Sequence, residues 1–376
     1  MNFFLVFTIA IGFVVICRWK GKGMGFFLFI LLFFLAAFRG ENVGHDTVKY
    51  LNIAYINNWA SEADISTFTF DNLGSKVELI SGLIFKTIVE LNLDTRFSLV
   101  FYAFIMMFFL YLSCRRFKVS TAYAIAFFVI FGFFFYSMSA IRQFCAITVI
   151  LYAMSFLQEE GTKKYLFFVW MAVSVFIHSF SIICFPLYFI IFLPKYSKKI
   201  GWIIWAISLL VVVVRIDFLS RLSALLEVDR ISDYMTTYGD AQVFSIQRIL
   251  SYWIEITCLF YFFYRKKKMD CLNYDNNGTL VQNAEKKRMY QLYVVDYLYL
   301  FSIFFYAFLF SYDGLIGRAR YNFCIIQCVY LASYFMRKPL KYINFDILFF
   351  LLLFLLRIAK NRVFMESLKS NYYLYF

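Results

Sequence analysis

Residues 97–118 read FSLVFYAFIMMFFLYLSCRRFK. No side chain from Phe97 to Cys114 is charged, and Arg115, Arg116 and Lys118 then follow at once. A helix needs about 20 apolar residues to cross a bilayer, and loops on the cytoplasmic side carry an excess of Lys and Arg. The stretch therefore reads as a span that ends in a basic inner loop. The same alternation recurs along the chain, with basic runs at Arg18 to Lys22, Lys195 to Lys199, Arg265 to Lys268 and Arg337 to Lys341 separating long apolar segments.

Composition agrees. Of 376 residues, 63% are hydrophobic, 52 are Phe, 29 are Tyr and only 16% are charged, whereas a soluble domain is about half apolar and about a quarter charged. One aqueous core could not hide so much Phe and Leu, and a disordered, collagenous or disulfide-stapled chain is excluded by the same figures. The fold class expected is all-α: a single polytopic membrane domain over 1–376 with about 12 transmembrane helices. The spans centre on 2–17, 24–38, 97–113, 121–136, 140–157, 165–178, 181–193, 201–214, 248–264, 291–310, 319–336 and 343–357. The first has no small-residue cleavage site and its basic run follows the apolar stretch, so it reads as a retained span.

The net charge of +14 suggests nucleic acid until it is sorted by position. Loops 18–25, 114–120, 158–164, 194–200, 265–290 and 337–342 hold 21 of the 37 Lys and Arg. Placed inside, they account for the excess and leave both termini and a nearly neutral surface outside. No nucleic-acid partner is expected. Two outer loops are long, about 39–96 and about 215–247. In the first, Leu79, Ile80, Leu83, Ile84, Ile88 and Leu91 recur at helical spacing, interrupted by Glu78, Lys86 and Glu90. Phe218, Leu219, Leu222, Leu225 and Leu226 repeat the pattern in the second. Both predict interfacial or re-entrant helices.

No Gly-rich phosphate loop, HExxH, GxSxG or long soluble domain is present, which argues against a nucleotide-driven pump. The Cys residues fall mostly in apolar segments without CxxC spacing, so neither disulfide nor zinc site is expected. Charged groups near membrane level are costly and mark functional sites. Four outer places concentrate them: Arg39 with His45-Asp46, Ser139-Ala140-Ile141-Arg142-Gln143, His178-Ser179, and Arg318-Ala319-Arg320-Tyr321.

Each has a plain structural reading beside the functional one. His178 can cap a helix or bind a carbonyl; it can also carry a proton near neutrality. His45 sits where solvated loop histidines are common. Long basic side chains snorkel to headgroups, yet Arg142 lies in a tight helical hairpin beside Gln143, and a guanidinium binds phosphate bidentately. Asp296 and Glu255 fall inside spans, and Asp296 is expected to pair with the neighbouring basic loop.

At these residues the chain resembles the EpsG-like branch of the Wzy-type O-antigen and capsular polysaccharide polymerases. The resemblance rests on Arg39 followed by Val43-Gly44-His45-Asp46-Thr47 and Tyr50, on Ser139-x-x-Arg142-Gln143, on Phe176-Ile177-His178-Ser179-Phe180-Ser181, and on Arg320 with Tyr321 and Phe323. It covers roughly residues 25 to 335. His45 has no counterpart in the family's pattern and is not carried over. The resemblance implies glycosyl transfer on the outer leaflet of a bacterial inner membrane, between undecaprenyl-diphosphate-linked oligosaccharides and without a nucleotide donor, cofactor or metal. A hydroxyl of one lipid-linked repeat attacks the anomeric carbon of the growing glycan, and undecaprenyl diphosphate leaves. Arg142, Arg318 and Arg320 are then candidates to stabilise the diphosphate, Arg39 and Gln143 to bind substrate, and His178 to act as base with Asp46 as its rival. Membrane lipids and a chain-length regulator are the further partners considered.

Two other classes compete. A flippase or exporter of lipid-linked glycans calls for cationic residues spread through the membrane depth, whereas these cluster near one surface. An integral membrane acyltransferase that decorates glycans would also use His178 as a base.

Overall fold

The computed structural model describes residues 7–12, 22–41, 43–44, 46–62, 77–159, 161–193, 198–214, 246–275, 282–309, 314–337 and 345–367. Among them there is no strand, and the chain is helical almost throughout. It forms two compact units. The first comprises Met1–Ile191, Gln327–Pro339 and Arg357–Phe376; the second comprises Phe192–Ile326 and Leu340–Leu356.

The first unit contains α1 (Lys22–Ala37), α2 (Thr47–Leu51), α3 (Ile53–Glu62), α4 (Leu79–Glu90), α5 (Phe97–Arg116), α6 (Thr121–Ile130), α7 (Phe133–Ser139), α8 (Ile141–Met154) and α9 (Leu166–Ile177). A 3-10 helix, Ser179–Phe192, follows α9 where a regular span was expected over 181–193, and Pro186 lies inside it. Proline has no amide hydrogen to donate to an α-helical ladder.

Helix α5 shows which solvent the molecule is built for. Phe97, Phe101, Phe104, Phe108 and Tyr111 form one exposed stripe, while Leu99, Tyr102, Met106, Met107 and Leu110 on the other face are buried. Leaving one such ring in water costs roughly 1.5–3 kcal/mol relative to burial. Five would cancel much of the ~5–15 kcal/mol that stabilises a typical domain. In lipid the stripe costs nothing, and this is a membrane protein. Past its first turn, helix α8 is apolar on nearly every side and almost wholly buried, as expected of a helix enclosed by others.

Among the described residues, two helices are long and apolar enough to cross a membrane, Phe97–Arg116 and Ile141–Gln158. The stretch expected as a straight span over 121–136 is instead α6 and α7, bent by 62° at a short break; together they make a third candidate. Gly132 lies at the bend with φ +81°, a conformation that costs glycine nothing and other residues about 1–2 kcal/mol. Gly23–Ala37, Ser179–Phe192, Lys199–Val213 and Tyr293–Phe308 are shorter apolar helices.

The two ends of α5 and α8 are chemically distinct. At one end Arg116 donates to Ser155 Oγ (2.8 Å) and to Glu159 Oε1 (3.0 Å), and its guanidinium lies 3.7 Å from the Phe156 ring centroid. The loops after α5 and after α8, both read as basic inner loops, thus meet at one end of the unit.

The expected amphipathic helix over Leu79–Leu91 is present as α4, with a different inner face. Ser81, Gly82, Phe85 and Ile88 are buried, whereas Leu83 and Leu91 are exposed. Small residues and one ring let α4 lie close to its neighbours, and the leucines turn outward, which suits a lipid boundary. Two more helices, α2 and α3, precede α4 in the same long loop. The amphipathic stretch expected in 215–247 lies outside the described residues.

In the second unit, α10 (Lys198–Val214), α11 (Ile246–Asp275), α12 (Gln282–Phe308) and α13 (Gly314–Cys324) precede the first half of α15 (Phe345–Ser367); α14 (Ile326–Arg337) falls almost entirely in the first unit. The span expected over 319–336 is interrupted at Ile325, which separates α13 from α14. Helices α11 and α12 run well into the expected loop 265–290, because Lys, Arg, Gln and Met are good helix formers even where they are not apolar. Asp296 is fully buried and ion-paired to Lys266 and Lys267, and Asp346 is paired to Arg265 (3.3 Å). Arg265, Lys266 and Lys267 in the basic run after the apolar part of α11 are thus paired within the fold, as anticipated for Asp296.

Candidate functional site

The segment that follows α1 is held down by Arg39. This side chain is buried, donating from Nε to Thr47 Oγ1 (2.9 Å) and from Nη1 to the Ala36 carbonyl (2.8 Å). Thr47 in turn donates to the Val43 carbonyl and lies 3.4 Å from that of Met138. Gly44 (φ +86°) passes so close to α7 that an added Cβ would stand 2.0 Å from the Met138 carbonyl oxygen. The Arg39–Tyr50 motif is therefore a clip seated on the chain just before the α7–α8 break. His45 lies outside the described residues. Asp46 precedes α2 with its carboxylate not capping that helix, and its charge reaches Tyr50.

Tyr50 carries the clip into the site. Ser98 Oγ donates to its carbonyl (3.0 Å), and its ring packs against Trp59, Phe85 and Tyr102 at centroid distances of 5.2, 5.8 and 5.7 Å. Its hydroxyl accepts a hydrogen bond from Arg142. Burial pushes the Tyr50 phenol well above its ordinary value of 10.0, with Arg142 opposing. It stays protonated.

Arg142 stands in the first turn of α8, just past Ala140 at the break. A cation there opposes the helix dipole, whose N-terminal end is already positive. The fold compensates with Glu78. Its Oε2 accepts from Arg142 Nη1 at 2.7 Å. Its Oε1 accepts from His178 Nδ1 at 2.8 Å and from the Ser179 amide at 3.2 Å. The Arg142 guanidinium also lies 5.8 Å from the Trp59 ring centroid.

Local structure aims each group. Glu78 is extended (φ −75°, ψ 155°) immediately before α4 and caps nothing in its own helix. His178 ends α9 in an extended conformation (φ −154°, ψ 111°), which turns its ring away from the helical stack. Ser81 Oγ bonds the Ile177 carbonyl (3.1 Å), tying the start of α4 to the end of α9. Burial raises the pKa of Glu78, but the His178 hydrogen bond and the Arg142 charge outweigh it, so the carboxyl titrates below its ordinary 4.5. Side-chain exposures of 21% for Arg142, 18% for His178 and 11% for Glu78 leave the first two reachable and the carboxylate mostly hidden.

The structure thus brings together Arg142 and His178, singled out from sequence, through a residue that sequence reading passed over as an interruption in an apolar stripe. Gln143 is buried beside Arg142 on α8. In the second unit, Arg320 donates to Tyr252 (3.3 Å) and Tyr321 (3.2 Å) and lies 5.9 Å from the Tyr306 ring centroid. Tyr306 donates to buried Glu255 at 2.6 Å. Arg318 belongs to α13, but its side chain is outside the described residues.

Nothing in the hydrogen-bonded set around Glu78 calls for a metal, and among the described residues no group of three or more His, Cys, Asp or Glu could hold one. What the set offers is a cation for an anionic group next to an oriented imidazole. No curated protein and no solved structure matches the chain. The EpsG family matches residues 23–376, nearly the whole of it, and this membrane protein belongs to that family.

Proposed function

We propose that the protein is a polysaccharide polymerase that joins undecaprenyl-diphosphate-linked oligosaccharide repeat units at the outer leaflet of the inner membrane. The observation that carries this reading is the Arg142–Glu78–His178 cluster at the N-terminal end of α8, opposite the Arg116 end. An acceptor hydroxyl gives its proton to His178, and its oxygen forms a bond to the anomeric carbon of the growing glycan. The bond from that carbon to the diphosphate oxygen breaks, and the electron pair leaves with undecaprenyl diphosphate. Arg142 balances the charge that collects there, a role a guanidinium fills well against phosphate oxygens. A positioned base contributes about 10²–10⁴-fold to such a step.

Within the second unit, Arg320 with its tyrosine partners is proposed separately as an anion contact, with Arg318 beside it in sequence. Asp46 is the rival base, and Gln143 is proposed to bind substrate, as is Arg39, which also holds the segment leading to Tyr50. The test is electrophoresis of surface glycan from a deletion strain complemented with wild type, Arg142→Ala or His178→Ala at equal membrane abundance. Long chains with wild type and single lipid-linked repeats with both variants are expected. Repeats stranded on the inner leaflet would indicate a flippase instead, and lost acyl groups at unchanged chain length an acyltransferase.

A further inference from the structure

We infer that Glu78 is the positioning residue of the site: one of its oxygens fixes the His178 imidazole with Nε2 toward substrate while the other holds Arg142. The inference rests on the polymerase reading for what His178 acts on, but its geometry stands by itself.

A carboxylate can only accept, so the 2.8 Å contact puts the ring proton on Nδ1 and leaves Nε2 as the nitrogen with a free lone pair. The Glu78 oxygens are themselves occupied. Oε1 takes both the imidazole and the Ser179 amide, and Oε2 takes Arg142. Glu78 is also less exposed than either side chain it touches. It is therefore poorly placed to receive a substrate proton and well placed to orient the group that does.

The contacts also separate this pair from an ordinary ion pair. Glu78 reaches two residues 64 and 100 positions away in the chain, and the Ser179 amide fixes the carboxylate from a third direction. Without Glu78, Arg142 would lose the carboxylate that offsets the positive end of α8, and the ring of His178 would lose its partner at Nδ1. The ionisable groups around the pair are Arg142 from α8, Tyr50 from α2 with Asp46 ahead of it, and Tyr102 from α5. Among the described residues, Glu78 is the carboxylate in contact with the imidazole.

Removing that charge while keeping a hydrogen-bond acceptor separates its electrostatic role from its steric one. With Nδ1 held by Glu78, a single ring nitrogen of His178 is open to reagent; without the carboxyl oxygen, both are. The experiment uses full-length protein in liposomes of phosphatidylethanolamine and phosphatidylglycerol. Carbethoxylation of the His178 peptide by excess diethyl pyrocarbonate at one fixed pH, read by mass spectrometry, reports whether one ring nitrogen or both are reached, without reference to turnover. Polymerisation of lipid-linked repeats is followed in parallel.

Wild type is expected to take up one carbethoxyl group at His178, because Glu78 occupies Nδ1. Glu78→Ala frees Nδ1, and is expected to take up two and to slow polymerisation about 100-fold. Glu78→Gln keeps an acceptor oxygen, and is expected to stay closer to the wild-type adduct and to recover part of the rate. A single adduct in Glu78→Ala overturns the inference, as does a wild-type rate in that variant. If the adducts change as expected but wild-type protein forms no polymer, Glu78 positions His178 and it is the polymerase reading that fails.

Discussion

Two arginine–glutamate pairs close opposite ends of the α5–α8 bundle, and they do different things. Arg116 stands in the last turn of α5, where the helix dipole favours a cation, and its pairing with Glu159 leaves both side chains more than a quarter exposed. Arg142 stands in the first turn of α8, where the dipole opposes it, and its partner Glu78 is mostly hidden and shared with His178. The first arrangement is what stability alone would choose. The second spends stability to hold a positive charge and an imidazole side by side, and that conflict between local rule and observed structure is what marks a functional site.

Substitutions can break this contrast. The largest effect is expected for Arg142→Ala, with a loss of polymerisation of about 1,000-fold, as for removal of a preorganised charge at a departing anion, while the protein still accumulates in membranes. Gly44→Ala comes next. It forces a side chain against the Met138 carbonyl at positive φ and should cost about 3 kcal/mol of stability, seen as a lower Tm in detergent, with activity falling because the clip beneath Tyr50 shifts.

Glu78→Ala removes the carboxylate paired with Arg142 and should cost about 2–3 kcal/mol, measured in the same way. The pH dependence has a definite sign. The Glu78 carboxyl titrates below 4.5 in the folded protein, so its stabilising effect is complete above pH 4.5 and is lost as pH falls through the lowered value. Wild type should lose Tm on acidification below pH 4.5, and Glu78→Gln should lack that increment. The smallest effect belongs to Arg116→Ala. A partly exposed pair is worth less than about 1 kcal/mol, and polymerisation by the protein that remains folded should match wild type.

The contrast also separates what sequence could and could not disclose. Helices α5 and α8 are legible because membrane length and a basic terminus are local properties of the chain. The bend at Gly132 is not, since an apolar run around one glycine reads the same whether straight or broken. Arg142 and His178 stand out because a charge or imidazole beside an apolar segment is costly wherever its partner lies. Glu78 does not, for the opposite reason. One carboxylate among several in a long polar loop acquires its meaning from residues 64 and 100 positions away, and no local pattern encodes those contacts. The same holds for α4: its apolar spacing announces a helix, but which residues face inward, Ser81, Gly82, Phe85 and Ile88, is decided by packing.

The most direct measurement is polymerisation by purified protein in liposomes supplied only with undecaprenyl-diphosphate-linked repeat units. A ladder of glycan chains with wild type, reduced to single repeats by either Arg142→Ala or His178→Ala at unchanged folding, is the result expected. Ladders of normal length and rate from both variants would contradict the assignment of this cluster as the place where the glycosidic bond is made.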